Sequence, residues 1–328
     1  MVWIKFLISI VIILICGYKL SKYGDTISEK TGLGKGFVGV LLLGAITSLP
    51  EVITTISSVS LVKNVNLAWG NIYGSNLLNI SVIAFCDFLI LDKDFRKFNK
   101  NNVLTGALGV IITVIGIIGI AVHKTWIIFS HISLFSILIL GTYIIGTYVL
   151  YLNERARKAN SDYVKNNKEK LENKIFIYFF LNALLIVIAG VNVTYACDEI
   201  ARVTGLGSSF VGSLFLAIAT SLPEIVVSIS AIKLGAVSMA IGNILGSNFF
   251  NVSIIALSDL FYTINSKSIF YDASHIHILT GLIFIILTNI YLTGMVLEAK
   301  KRFLRFGYDS IIILILYFLT FSYIFKYG

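Results

Sequence analysis

Apolar runs of about 20 residues, enough to cross ~30 Å of hydrocarbon, follow one another along the chain with short polar breaks between them. The pattern predicts ten spans, at 2–22, 36–62, 66–90, 103–122, 126–151, 174–197, 209–233, 237–262, 275–296 and 308–326. The longest polar stretch, Asn153 to Asn173, is charged and mixed in sign, as expected of a solvated linker (153–173) between two halves of five spans, 1–152 and 174–328. The first run lacks a small-x-small cleavage site leading into a polar domain, so it reads as a span rather than a leader. The fold class expected is an all-α polytopic membrane protein.

The two halves repeat one unit. Thr47-Ser48-Leu49-Pro50-Glu51 recurs as Thr220-Ser221-Leu222-Pro223-Glu224, and Gly70-Asn71 with Gly74-Ser75-Asn76 recurs as Gly242-Asn243 with Gly246-Ser247-Asn248. Leu33-Gly34 and Phe37-Val38-Gly39 likewise face Leu206-Gly207 and Phe210-Val211-Gly212. The chain's 2 prolines, Pro50 and Pro223, both lie in this unit. An odd number of spans per half makes the second half enter the membrane from the opposite side. Inverted repeats of this kind characterise secondary transporters, whose sites lie at the midplane between the repeats.

Composition agrees: 57% of residues are hydrophobic and 13% charged, against about a quarter charged in soluble domains. The net charge of +9 is topological. Twenty of the 26 Lys and Arg fall in alternate loops on one face, with Lys93, Arg96, Lys97 and Lys100 forming one cluster and Lys300, Lys301, Arg302 and Arg305 another. The positive-inside rule makes that face cytoplasmic. The protein is then expected in the cell membrane, with the central loop inside and both termini outside. Nucleic acid is not an expected partner. The 3 cysteines imply no disulfide framework, and no Cys/His cluster has zinc or haem spacing. No cofactor and no enzymatic activity are expected.

Glu51 and Glu224 each sit about 15 residues into a span, near the middle of the membrane. An ionised carboxylate there costs at least ~2.5 kcal/mol unless something offsets it, and no Lys or Arg stands nearby in the span to do so. A proton or a bound cation must. Proline removes a backbone hydrogen bond and displaces the carbonyl four residues back, so broken helices are expected at the midplane. Freed carbonyls would lie around Gly44–Ile46 and Ala217–Ala219. Carbonyls, hydroxyls and carboxylates form an all-oxygen set suited to hard cations such as Ca²⁺ and Na⁺. Two copies supply two carboxylates, whose charge one Ca²⁺ would neutralise. A blander role exists: Ser48-x-x-Glu51 and Ser221-x-x-Glu224 fit capping boxes.

In the second cluster, Ser75 and Asn79 are four residues apart and share a helix face, as do Ser247 and Asn251, with Asn71 one turn earlier. Facing the glutamates, they would complete the cage, while the glycines allow close helix approach. Asp87 and Asp259, equivalent positions near span ends, are expected to be solvated. The four histidines (123, 131, 275 and 277) are scattered near span ends and suggest no metal site.

At these motifs the chain resembles the sodium/calcium exchanger branch of the cation/Ca²⁺ antiporter superfamily, in a microbial-type form without regulatory domains. The resemblance covers the full length. It implies that Glu51 and Glu224 bind Ca²⁺ and Na⁺ alternately, and that Thr47 and Thr220 add backbone oxygens to the calcium site. Ser48, Ser221, Ser75 and Ser247 would ligate sodium, the carbonyls of Gly44 and Ala217 would take part, and Asn79 and Asn251 would fill the central position. Some relatives have an aspartate where this chain has Asn251, so potassium independence is expected. The implied activity is Na⁺/Ca²⁺ antiport by alternating access, electrogenic if 3 Na⁺ exchange for 1 Ca²⁺, by a monomer in the lipid bilayer. Proton-coupled Ca²⁺ exchange is the alternative, and a cation channel a more distant one.

Overall fold

The computed structural model describes residues 2–31, 45–89, 99–122, 127–129, 132–159, 173–262, 267–297, 302–303 and 306–327. Within them the chain is helical apart from turns and two very short hairpins, Ile127–Phe129 with Ile132–Ser133 and Arg302–Phe303 with Phe306–Gly307. The first half contains α1 (Val2–Thr31), α2 (Leu49–Ser60), α3 (Val65–Leu89), α4 (Lys100–Val122) and α5 (Leu134–Ala159). The second contains α6 (Asn173–Thr204), α7 (Ser208–Lys233), α8 (Val237–Asp259), α9 (Ile276–Val296) and α10 (Tyr308–Tyr327). Among the described residues, eight helices are long and apolar enough to cross a membrane by length and composition. The other two are α2, with 12 residues, and α3, whose 25 residues include a run of buried Asn and Ser.

Helices α3 and α8 are the centre of the molecule. Of the apolar stretch in α8, 89% is buried, against 22% in α6 at the rim. Leu77 and Ile80 of α3 pack with Ile244 and Leu245 of α8 and Phe284 of α9, while Trp69 and Tyr73 on the other side of α3 meet Phe249 and Phe270. Helices α1 and α6 lie along each other, joined through Cys16, Leu20 and Ile186. Exposed apolar side chains concentrate on these outer helices and on α5 and α10, including Ile4, Leu7, Phe180, Leu184, Ile144 and Phe318. An apolar belt of that extent suits lipid, not water.

The two motif helices differ. Pro50 stands in the first turn of α2, directly after a break at Ser48 (φ −84°, ψ 11°), a position where a missing N–H is harmless. Pro223 instead lies inside α7, which runs on unbroken. The expectation of a helix break at both prolines is therefore corrected for the second half. One absent hydrogen bond is tolerated because the ring is seated on Gly17 of α1, where a Cβ would collide with it. Further back, α7 contains a π-helical turn at Gly212–Leu216. That turn meets α3 backbone to backbone: a Cβ at Gly70 or Gly74 would strike main-chain atoms of Ser209–Ser213.

Two other expectations change. The fifth span begins at Leu134 rather than 126, after the small hairpin, and α5 runs on through 153–159 into the stretch expected as linker. Asp87 and Asp259 are fully buried, not solvated. The Asp87 carboxylate accepts hydrogen bonds from the Gly307 N–H (2.8 Å) and the Ser310 hydroxyl (3.0 Å) at the start of α10. Asp259 accepts from the Ser133 N–H (2.9 Å) and Ser136 hydroxyl (2.6 Å) at the start of α5, and from Ser268 and the Ile269 N–H (2.8 Å each). Each half thus caps the last helix of the other, and a charge near a span end turns inward because backbone donors converge on it.

Candidate functional site

Glu51, in the first turn of α2, and Glu224, in the middle of α7, are both completely buried. Each is held by the opposite half: the Ser48 hydroxyl donates to Glu224 Oε1 (2.9 Å) and the Ser221 hydroxyl to Glu51 Oε1 (3.0 Å). The capping-box reading is therefore set aside. Ser48 makes no side-chain cap to α2 and Ser221 lies inside α7, away from its N-terminus, and the partner of each is a carboxylate of the other half.

Helices α3 and α8 supply the second layer, also crossed. The Asn79 amide donates to Asn248 Oδ1 (2.9 Å) and the Asn251 amide to Asn76 Oδ1 (3.0 Å). Asn76 and Asn248 are not among the expected site residues, although the repeated Gly-Ser-Asn triplet already marks them. Asn71 donates to Thr54 (2.9 Å) and Thr55 (3.0 Å), and its equivalent Asn243 to Ser228 (3.2 Å). Thr220 donates to Asn71 Oδ1 (3.1 Å) and stands 3.5 Å from the Ser75 hydroxyl. Thr47, Ser247 and Ala217 are buried in the same region, whereas Gly44 lies outside the described residues.

The polar atoms left over define the chemistry. Glu51 Oε2, Glu224 Oε2, Asn79 Oδ1, Asn251 Oδ1, Asn243 Oδ1 and the Ser247 hydroxyl are buried with no hydrogen-bond partner among the described residues. An unpartnered buried polar group costs roughly 1–3 kcal/mol, and more when charged. They gather on the four central helices, and five of the six are pure acceptors; the Asn248 amide Nδ2 in the same layer is also unpartnered among the described residues. Two carboxylates sharing one buried region also repel each other when both are ionised. Such a set is stabilised by a cation with several oxygen ligands. No group of three His, Cys, Asp or Glu is found among the described residues. His277 is fully buried but stacks on Trp69, within the apolar packing at the back of α3.

What these groups can do is take up cations and let them go, inside a bundle of membrane-crossing helices, and that places the protein among membrane ion transporters. The sodium/calcium exchanger protein family profile matches residues 1–152 and 174–326, so the chain belongs to that family and is one of its antiporters. It is 24% identical over 279 residues to the sodium/calcium exchanger MaX1 of Methanosarcina acetivorans, covering 74% of this chain and 78% of that one. Among solved structures, the H⁺/Ca²⁺ exchanger CAX is similar with a TM-score of 0.71 at 12% identity, covering 99% of this chain and 86% of the other. The sodium-calcium exchanger NCX_Mj is similar with a TM-score of 0.62 at 22% identity, covering 98% and 99%.

Proposed function

We propose that the protein exchanges Na⁺ for Ca²⁺ across the membrane by alternating access. The observation that carries this reading is the crossed carboxylate pair. Two buried charges from opposite halves each keep one oxygen free, beside unpartnered amide oxygens on α3 and α8. One Ca²⁺ neutralises both carboxylates. Na⁺ ions, with half the charge and the same taste for oxygen, neutralise them in turn from overlapping ligands, so the two ions exclude each other.

In this reading Glu51 and Glu224 bind both ions, with Thr47 and Thr220 as backbone ligands for calcium. Ser48, Ser221, Ser75 and Ser247 serve sodium, Asn79 and Asn251 stand at the centre, and the carbonyls of Gly44 and Ala217 assist. The chain is arranged as ten spans in two inverted repeats, 1–152 and 174–328, with the basic loops cytoplasmic and both termini external. The swapped caps at Asp87 and Asp259 support a two-fold relation between the halves. Amides at 79 and 251 leave the site without a third acid, which supports potassium independence. A 3:1 exchange moves one net charge, worth about 2.3 kcal/mol per 100 mV.

A second reading, proton-coupled Ca²⁺ exchange, is favoured by the likeness to CAX. ⁴⁵Ca²⁺ uptake into proteoliposomes preloaded with Na⁺, K⁺ or H⁺ separates the two. Uptake that requires internal Na⁺ and is lost in Glu51→Gln and Glu224→Gln supports sodium coupling. Uptake driven by H⁺ alone moves the protein to the proton-coupled class.

A further inference from the structure

The α1–α6 pair sits in unequal registers against the two motif helices. Gly17 and Gly190 are equivalent positions, 173 residues apart like Pro50 and Pro223. Gly17 of α1 packs under Pro223 of α7, but Gly190 of α6 packs against Ile53 of α2, three residues beyond Pro50. A pair slid along its own axis has this signature, since its displacement on one motif helix is opposite to that on the other. The mirror-image register would put Gly190 against Pro50 and Gly17 against Val226, a travel of about 4.5 Å at 1.5 Å per residue.

Among the described residues two polar contacts bear on this register: Thr194 of α6 donates to the Thr54 carbonyl of α2 at 3.5 Å, and a shorter pair runs through Asn64, which the matching turn replaces with alanine. Asn64, in the turn between α2 and α3, donates from Nδ2 to Asp198 Oδ1 at the end of α6 (3.0 Å) and to the Ser208 hydroxyl at the start of α7 (2.9 Å). Its Oδ1 accepts the Leu67 N–H (3.1 Å), and Asp198 also pairs with the exposed Arg202 (3.2 Å). The preceding Lys63 is left-handed, at φ 59°, which is uncommon for a residue with a Cβ. The equivalent turn has Gly235 there, at φ 78°, followed by Ala236. The second half thus keeps the turn without the amide, although α1 carries Asp25 at the position matching Asp198.

We propose that Asn64 is a positioning residue of the exchange cycle, a latch that clips α6 to the α2–α3 turn and α7, holds the α1–α6 pair in the present register, and must release before the pair takes up the mirror register. The proposal rests on the antiport reading for its function, but it can be tested apart from it. An ideal Cβ on Gly190 lies 3.3 Å from Ile53 Cβ, close to the ~3.8 Å of a disulfide. In a background lacking Cys16, Cys86 and Cys197, Ile53→Cys with Gly190→Cys therefore reports the present register by its rate of oxidative bridging. Adding Asn64→Ala should slow bridging several-fold, because losing one hydrogen bond to a charged group shifts the ratio of the two registers by about tenfold and the rate follows the population of the present one. Asn64→Asp, which can still accept from Leu67 but repels Asp198, should do the same. Bridging rates that are equal in the Asn64 parent and in both substituted proteins would overturn the latch. Calcium uptake by the same proteoliposomes is read separately. Uptake that stops on bridging and returns with reductant supports a cycle that requires the slide, and uptake that persists in fully bridged protein rules out release as a step. Absence of coupled uptake even in the reduced parent would count against the antiport reading and leave the bridging comparison to decide the latch.

Discussion

Replacing Glu224 with Gln removes one charge from the site while leaving an oxygen where Oε1 accepts the Ser48 hydroxyl at 2.9 Å. Two unit charges 4 Å apart interact by about 4 kcal/mol at an effective dielectric of 20, and a divalent ion doubles this to ~8. With the amide oxygen held by Ser48, the NH2 falls at the Oε2 position and that ligand is lost, but the cost of burying a carboxylate disappears as well, so about half of that should survive as a net loss. Ca²⁺ binding should therefore weaken by ~4 kcal/mol, roughly a thousandfold, and each Na⁺ by ~2 kcal/mol, roughly thirtyfold. The ion-free variant should also unfold at a higher temperature than the parent, because two buried carboxylates no longer repel. Thermal unfolding of detergent-solubilised protein, titrated with Ca²⁺ or with Na⁺, reads both effects, since an ion that binds only the folded state stabilises it by RT ln(1 + [L]/Kd). A Ca²⁺ midpoint unchanged from the parent would refute the assignment of Glu224. Equal losses for the two ions would refute the charge argument and point to a general disturbance of packing.

Three further outcomes follow from the contacts. Ser221→Ala should cost ~1.5–3 kcal/mol in the folded, ion-free state by stranding Glu51 Oε1, seen as a lower unfolding temperature that saturating Ca²⁺ partly restores. Gly74→Ala should destabilise by ~1–3 kcal/mol, because its Cβ meets the Ser213 backbone, whereas Gly109→Ala, whose nearest neighbours are 3.9 Å away, should be near neutral in the same melts. Asp259→Ala strands four donors at once and should cost ~3–5 kcal/mol, with faster proteolysis at the start of α5 as the check.

The parts of this molecule readable from its sequence are those that appear twice. Glu51 and Glu224, the serines three residues before them and the asparagine layer are each marked by repetition, and the structure brings the two copies together. Periodicity cannot say which helix will break, because Pro50 and Pro223 stand in the same five-residue motif. The two prolines differ in their tertiary surroundings: Gly17 lies under the Pro223 ring, while Gly190 meets Ile53 rather than Pro50. Asp87 and Asp259 are misread for a related reason: distance from the span centre predicts access to water only if no donors close over the group, and here Gly307 and Ser133 reach in from over 100 residues away, joined at Asp259 by Ser268 and Ile269 of the following loop. Asn64 is invisible because it has no counterpart.

The exchange of caps between Asp87 and Asp259 makes each half's last helix depend on a carboxylate from the other half. That is the arithmetic of an isologous dimer, in which residue i of one copy meets residue j of its twin and the reverse also holds. The chain therefore carries inside itself what is normally an interface between subunits. Within one chain the two copies are free to differ, and an asparagine in one turn where the other has alanine is a difference that a strict homodimer cannot hold.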